Sequence, residues 1–195
     1  MHVYTPPPAP PLLPPQWSGA YVSYWSPMQQ DDQITSGYCW FDYTRNICRI
    51  DGLFNPWSEK ETGHRLWMSE IGDAEHGRSH KQKVAYSKEN MDFGVKLFEL
   101  QQEPEVTPFQ ELFLPRSVLH DHNAIYVGRE TVLGHVADGW TFSREGKGPS
   151  TYYFKVGTDL LLRMVTGDPT QHASVRDFPN VVTNPIPDWI FDTTR

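Results

Sequence analysis

Residues 124–168, AIYVGRETVLGHVADGWTFSREGKGPSTYYFKVGTDLLLRMVTGD, decide the fold. Apolar and polar residues alternate here with period two, the mark of half-buried strands. Glycine-containing steps interrupt the alternation, and hairpin turns are expected at Asp138-Gly139, Gly146-Lys147-Gly148 and Thr158-Asp159. The same period runs outward from this stretch. In SGAYVSYWS, Tyr21, Ser23 and Trp25 alternate with Ala20, Val22 and Tyr24. GYCWFDY and NICRIDGLF flank a turn at Thr44-Arg45, and GHRLWMSEI and HKQKVAYS flank GDAEHGRS as a second hairpin. Helical signals are few. PRSVLHDHN, with proline at its opening, suits a short helix, and IPDWIFD is a weaker one. Many short strands at hairpin spacing imply a mostly β domain, a curved antiparallel sheet or open half-barrel with a few short helices. Its concave face would need a cover or a guest.

The totals bound the function. A chain of 195 residues suits one domain, which buries roughly 70% of its unfolded surface. Lys and Arg number 17 against 24 Asp and Glu, a net charge of −7 that argues against nucleic acid as partner. No apolar run reaches the ~18 residues of a membrane span. The N-terminal residues lack the basic and apolar regions of a secretory signal, so a cytoplasmic location is expected. There Cys39 and Cys48 would be reduced; a hairpin turn at 43–46 sets them diagonally, poorly placed for a disulfide. The prolines between Pro6 and Pro15 read as an extended arm over residues 1–16, ahead of a single domain at 17–195.

Two charged residues stand out by position. Glu70 shares a strand face with His64, Leu66 and Met68. It is either a strand-end group reaching water or a carboxylate held in an apolar cavity, where desolvation would raise its pKa and fit it for acid–base work. Arg176 shares a face with Ser174 and Phe178; it can clamp a carboxylate in bidentate fashion or simply pair with Asp177 or another surface acid. Other patterns carry no chemistry. His120 and His122 lie two apart in a helical segment, wrong for a shared metal, and EGKGPS lacks the spacing of a phosphate loop. No dinucleotide or nucleophile-elbow motif is present.

Longer strings then resemble one known family. AYVSYWSPM, TSGYCWFDY, ICRIDGLFNPWSE, GHRLWMSE, KQKVAY, ELFLPR, GKGPST, LRMVTGD and RDFPNV are similar to the violacein biosynthesis protein E family, from Leu12 to about Asp188. The resemblance implies a fold like the bacterial lipoprotein-carrier domains. It implies an enzyme with no metal or organic cofactor, acting on the imine dimer of indole-3-pyruvate that an upstream flavin oxidase and haem protein make from tryptophan. The resemblance implies that this enzyme directs an indole 1,2-shift and ring closure toward prodeoxyviolacein (as its carboxylic acid precursor) and away from chromopyrrolic acid. Carried over by motif, the site residues are Tyr21, Ser23, Phe54, Asn55, Pro56, Glu70 and Arg176. On this reading Tyr21 and Phe54 stack on the indoles, Ser23 and Asn55 orient the imines, Arg176 grips a carboxylate and Glu70 moves a proton. A homodimer is also implied. The alternative is a carrier that holds a hydrophobic ligand on the same sheet and releases it unchanged.

Overall fold

A computed structural model describes residues 7–30, 32, 34–53, 64–74, 78–87, 97–104, 113–146 and 148–192 of the chain, with side chains omitted at 53, 64–68, 78–87 and 97–104. The expected alternation becomes eleven strands: β1 (Gln16–Ser26), β2 (Thr35–Asp42), β3 (Ile47–Leu53), β4 (His64–Asp73), β5 (Arg78–Ser87), β6 (Leu97–Pro104), β7 (Ile125–Val132), β8 (His135–Arg144), β9 (Gly148–Lys155), β10 (Leu161–Thr166) and β11 (Ala173–Asp177). They form one curved antiparallel sheet in the order β6-β5-β4-β3-β2-β1-β11-β10-β9-β8-β7. Consecutive strands pair except β6 and β7, which lie at the two outer edges, and at the centre β1 and β11 join the two meanders. That contact puts the beginning and end of the domain side by side.

Most turns fall where the residues predict. Residues 43–46 turn between β2 and β3 with Asn46 at φ 52°, and Gly146 and Gly148 have φ 71° and 67°. One expectation needs correction: Asp138-Gly139 lies inside β8, and the turn between β7 and β8 is Leu133-Gly134, at φ 50° and 78°. The reason lies in what those two residues do across the sheet. Asp138 accepts hydrogen bonds from Tyr126 (2.8 Å) and Arg129 (2.7 Å) on β7. A Cβ on Gly139 would lie 2.8 Å from the Tyr153 ring. The pair serves packing, not chain reversal. The short helix forms as α1, Val118–Asp121, and a 3-10 turn spans Asp188–Phe191. Among the described residues no helix is long and apolar enough to cross a membrane.

The main core occupies one face of the sheet, and two smaller apolar clusters, Val132-Ala137-Leu162 and Val165-Ala173-Val175, lie outside it. Trp17 stacks on Phe41 (centroids 4.6 Å) and meets Phe178 edge-on (5.7 Å), while Phe142 meets Tyr152 edge-on (5.0 Å). Phe113, Val118 and Leu119 cover this cluster from the segment around α1. The proline-rich arm contributes as well: Leu13 is 1% exposed and its N–H donates to the Arg116 carbonyl. The arm therefore ends inside the core, stitched to the covering segment.

Candidate functional site

Strand register places the candidate residues relative to one another. Residues directly opposite in an antiparallel pair share a face, as do residues two apart on one strand. Ser23 is opposite Arg176; Gly19 is opposite Cys39, Cys39 opposite Ile50, and Ile50 opposite Glu70. Tyr21, Ser23, Glu70 and Arg176 thus project from one face, the face that carries the core. Glu70 and Arg176 stand four strands apart and, level with Gly19 and Ser23 respectively on β1, four residues apart along the strands, roughly 23 Å across a flat sheet. Curvature and the long arginine stem shorten that gap without bringing the two groups to one atom. Phe54, Asn55 and Pro56 lie outside the described residues.

Tyr21 is 2% exposed because its ring has a floor and a lid. The floor is Gly37 and Gly52, where an added Cβ would lie 2.6 and 2.5 Å from the phenol oxygen. Over the ring sits the Arg176 guanidinium, 5.1 Å from the centroid, a cation–π contact. Burial raises the phenol's pKa well above its ordinary range against the opposing pull of Arg176. The ring is thus enclosed between the two glycines and the guanidinium it supports.

Arg176 does not pair with its sequence neighbour. Asp177 points from the opposite face, where it accepts from Arg163 Nε (2.6 Å) and Nη2 (2.9 Å) and from the Tyr24 hydroxyl (3.1 Å). Arg176 instead lines a cavity of about 180 Å³ with Arg144, Tyr152, Met164, Thr166 and Ser174. The Nε atoms of Arg144 and Arg176 are both buried without a hydrogen-bond partner, and neither arginine forms an ion pair with a described carboxylate. Tyr152 feels both cations: burial pushes its phenol up to about 12, and Arg144 and Arg176 pull the other way. Two guanidiniums and a phenol around one hollow can bind an anion by charge-assisted hydrogen bonds. Sequence reasoning missed Arg144 and Tyr152. The signal was available in parity, since Arg144 shares a strand face with Trp140 and Phe142, but an arginine beside a glycine-rich turn reads as solvated.

Glu70 is 5% exposed, with buried Ile50 opposite on β3 and Lys81 opposite on β5. Of the two settings open to it, the buried one is realised. Its neighbour Ser69 points the other way and donates to Asp51 (2.6 Å). Between Glu70 and Arg176 lie Cys39 and Cys48, both free and buried. Burial raises each thiol to about 12; the charge of Glu70 adds to the effect on Cys48, and Arg176 counters it at Cys39. Neither thiol is poised as a nucleophile. Among the described residues no group of three or more His, Cys, Asp or Glu is placed to hold a metal ion.

Known proteins share this sequence pattern and this sheet to different degrees. The sequence matches the family described as violacein biosynthetic enzyme VioE over residues 10–191. Among curated proteins none matches it significantly. Of solved structures, an uncharacterized conserved protein from Thermus thermophilus superposes with a TM-score of 0.51 at 9% identity, over 92% of this chain and 85% of that one. The MucA/MucB complex of Pseudomonas aeruginosa gives 0.45 at 12% identity, over 91% of this chain and 55% of that one. A LolA superfamily protein from Nitrosomonas europaea gives 0.37 at 10% identity, over 91% and 90%. At these identities the likeness concerns the fold alone.

Proposed function

Because the chain belongs to the violacein biosynthetic enzyme VioE family, we propose that it binds the imine dimer of indole-3-pyruvate and directs the 1,2-indole shift and ring closure toward prodeoxyviolacein, formed as its carboxylic acid precursor, without a cofactor. The observation that carries this reading is Arg176: held over Tyr21, its Nε buried and unmatched, on the face that also carries Glu70. A partly desolvated guanidinium binds a substrate carboxylate more strongly than an exposed one, and it fixes where the rest of the molecule lies. Tyr21 acts through Arg176 by fixing its plane. Ser23, directly opposite Arg176 on β1, orients an imine nitrogen, and Glu70 moves the proton that accompanies migration. Phe54, Asn55 and Pro56 complete the pocket in this proposal.

The energetic demand is modest. The dimer reacts unaided along another route, so the protein needs to favour one transition state over a competitor, and tenfold diversion takes only ~1.4 kcal/mol. Fixing one conformer can supply that through orientation. The two buried, free thiols suit a reducing compartment, which supports a place in the cytoplasm beside the flavin oxidase and haem protein that form the substrate.

The test is to add the purified protein to those two enzymes with tryptophan and weigh the product. A shift from chromopyrrolic acid to prodeoxyviolacein supports an enzyme; an unchanged product mixture supports a carrier. Glu70→Gln is expected to cut prodeoxyviolacein formation at least tenfold with substrate affinity retained, whereas Arg176→Ala weakens both. Full yield from Glu70→Gln would remove its proton-transfer role.

A further inference from the structure

We infer that Arg144 is a second carboxylate-binding residue, and that the cavity between β8 and β11 is built to take two carboxylates of one ligand. The inference rests on the proposed function for the identity of the substrate, but the site itself is read from the geometry. Arg144 and Arg176 come from different strands and converge on the same hollow. Each has a buried Nε with no hydrogen-bond partner, and no Asp or Glu is among the described lining residues. Two like charges held together without a counter-charge destabilise the empty site. Half-buried cations gain from a matching acid, as Arg163 does from Asp177 on the opposite face, whereas Arg144 and Arg176 are half-buried without one. The unmatched pair therefore points to an anion supplied from outside.

The surroundings indicate what kind of anion. Tyr152 and Ser174 offer hydroxyls, and the Thr166 hydroxyl lies 3.5 Å from that of Ser150. Met164 and Leu114 supply an apolar wall. At about 180 Å³ the hollow is smaller than the ~300–1,000 Å³ of a pocket that engulfs a whole drug-sized molecule. It takes the acidic end of a larger ligand. Each half of an indole-3-pyruvate imine dimer carries one carboxylate, so the joined dimer presents two. Arg176 holds one and Arg144 the other, with the Tyr152 phenol donating between them. Gripping both halves fixes the torsion about the bond that joins them, which one arginine alone cannot do.

The experiment uses chromopyrrolic acid, a bis-indole with two carboxylates, and its monomethyl ester as probes in calorimetric titrations of the full chain. The wild-type protein is expected to bind the diacid at least tenfold more tightly than the monoester. Arg144→Gln should abolish that preference, Arg144→Lys should retain part of it, and binding of the diacid should weaken with added salt. Equal affinity of the wild-type protein for diacid and monoester overturns the inference whether or not the variants fold. An undiminished preference in Arg144→Gln overturns it as well, by showing that the second carboxylate is held elsewhere. The outcome is separable from the product assay. A wild-type protein that prefers the diacid yet makes no prodeoxyviolacein keeps this site and loses the proposed reaction; the reverse pattern keeps the reaction and loses the site.

Discussion

Tyr21 shows how a single side chain depends on residues that have none. Its ring crosses β2 and β3 at Gly37 and Gly52, and only glycine leaves room for it. At Gly37 an added Cβ would come within 1.9 Å of the Asp51 carbonyl oxygen as well as 2.6 Å from the Tyr21 hydroxyl. Backbone cannot yield as a flexible side chain can, so Gly37→Ala is expected to cost about 3 kcal/mol, measurable as a lower urea midpoint. The functional consequence travels through contact. A displaced Tyr21 ring no longer supports the Arg176 guanidinium, and affinity for a carboxylate probe should fall with stability. Retained affinity in a destabilised Gly37→Ala protein would show that Arg176 is positioned without Tyr21.

At the scale of elements, the β2–β3 hairpin is anchored by one buried acid. Asp42 is 0% exposed and accepts hydrogen bonds from the Thr44 N–H (2.9 Å) and hydroxyl (2.6 Å), the Arg45 N–H (3.2 Å) and Nε (2.5 Å), and Gln16 Nε2 (3.0 Å). Burial alone would raise its pKa, but the bonds from Thr44 and Arg45 outweigh it and hold the carboxyl below its ordinary 3.8. A depressed folded-state pKa stabilises the fold above the unfolded value, and that contribution is lost as the pH falls through the folded one. Asp42→Ala should therefore cost about 3 kcal/mol at pH 6, and the gap between variant and wild type should narrow on acidification to pH 3. Denaturant midpoints at the two pH values check it. Arg45 extends the anchor to the chain end through Asp188 and the Ile186 carbonyl (2.8 Å), tying the hairpin to the 3-10 turn.

At the scale of the whole molecule, the topology leaves β6 and β7 as the outer strands of an open sheet. Unpaired strand edges invite pairing with another chain. On β7, Ile125 (68%) and Val127 (51%) are exposed. The homodimer that the family resemblance implies is proposed to form across this edge, far from Glu70 in strand order. Ile125→Lys is expected to turn a dimer into a monomer in light scattering while leaving the diacid preference of the site intact. A wild-type protein that already runs as a monomer would rule the edge out as a dimer interface.

By itself the sequence determined that this chain is a sheet of hairpins, and which residues share a face. Period two is a local property of the pleated backbone, so Glu70 and Arg176 could be singled out before any strand was placed, while Tyr21 and Ser23 came with the family resemblance. The recognisable strings carried the family with them. Asp138-Gly139 was misleading because a turn dipeptide looks the same when its acid serves Arg129 and its glycine makes room for Tyr153. Only the tertiary structure decided who faces whom. The pairing of β1 with β11 brings Arg176 over Tyr21, and the run from β11 to β8 brings Arg144 to the same cavity from a distant part of the sequence. Alternation fixes the side of a sheet on which a residue stands, but its neighbours across the sheet are set by long-range register. That register is chosen by how the whole apolar face closes, which no local stretch contains.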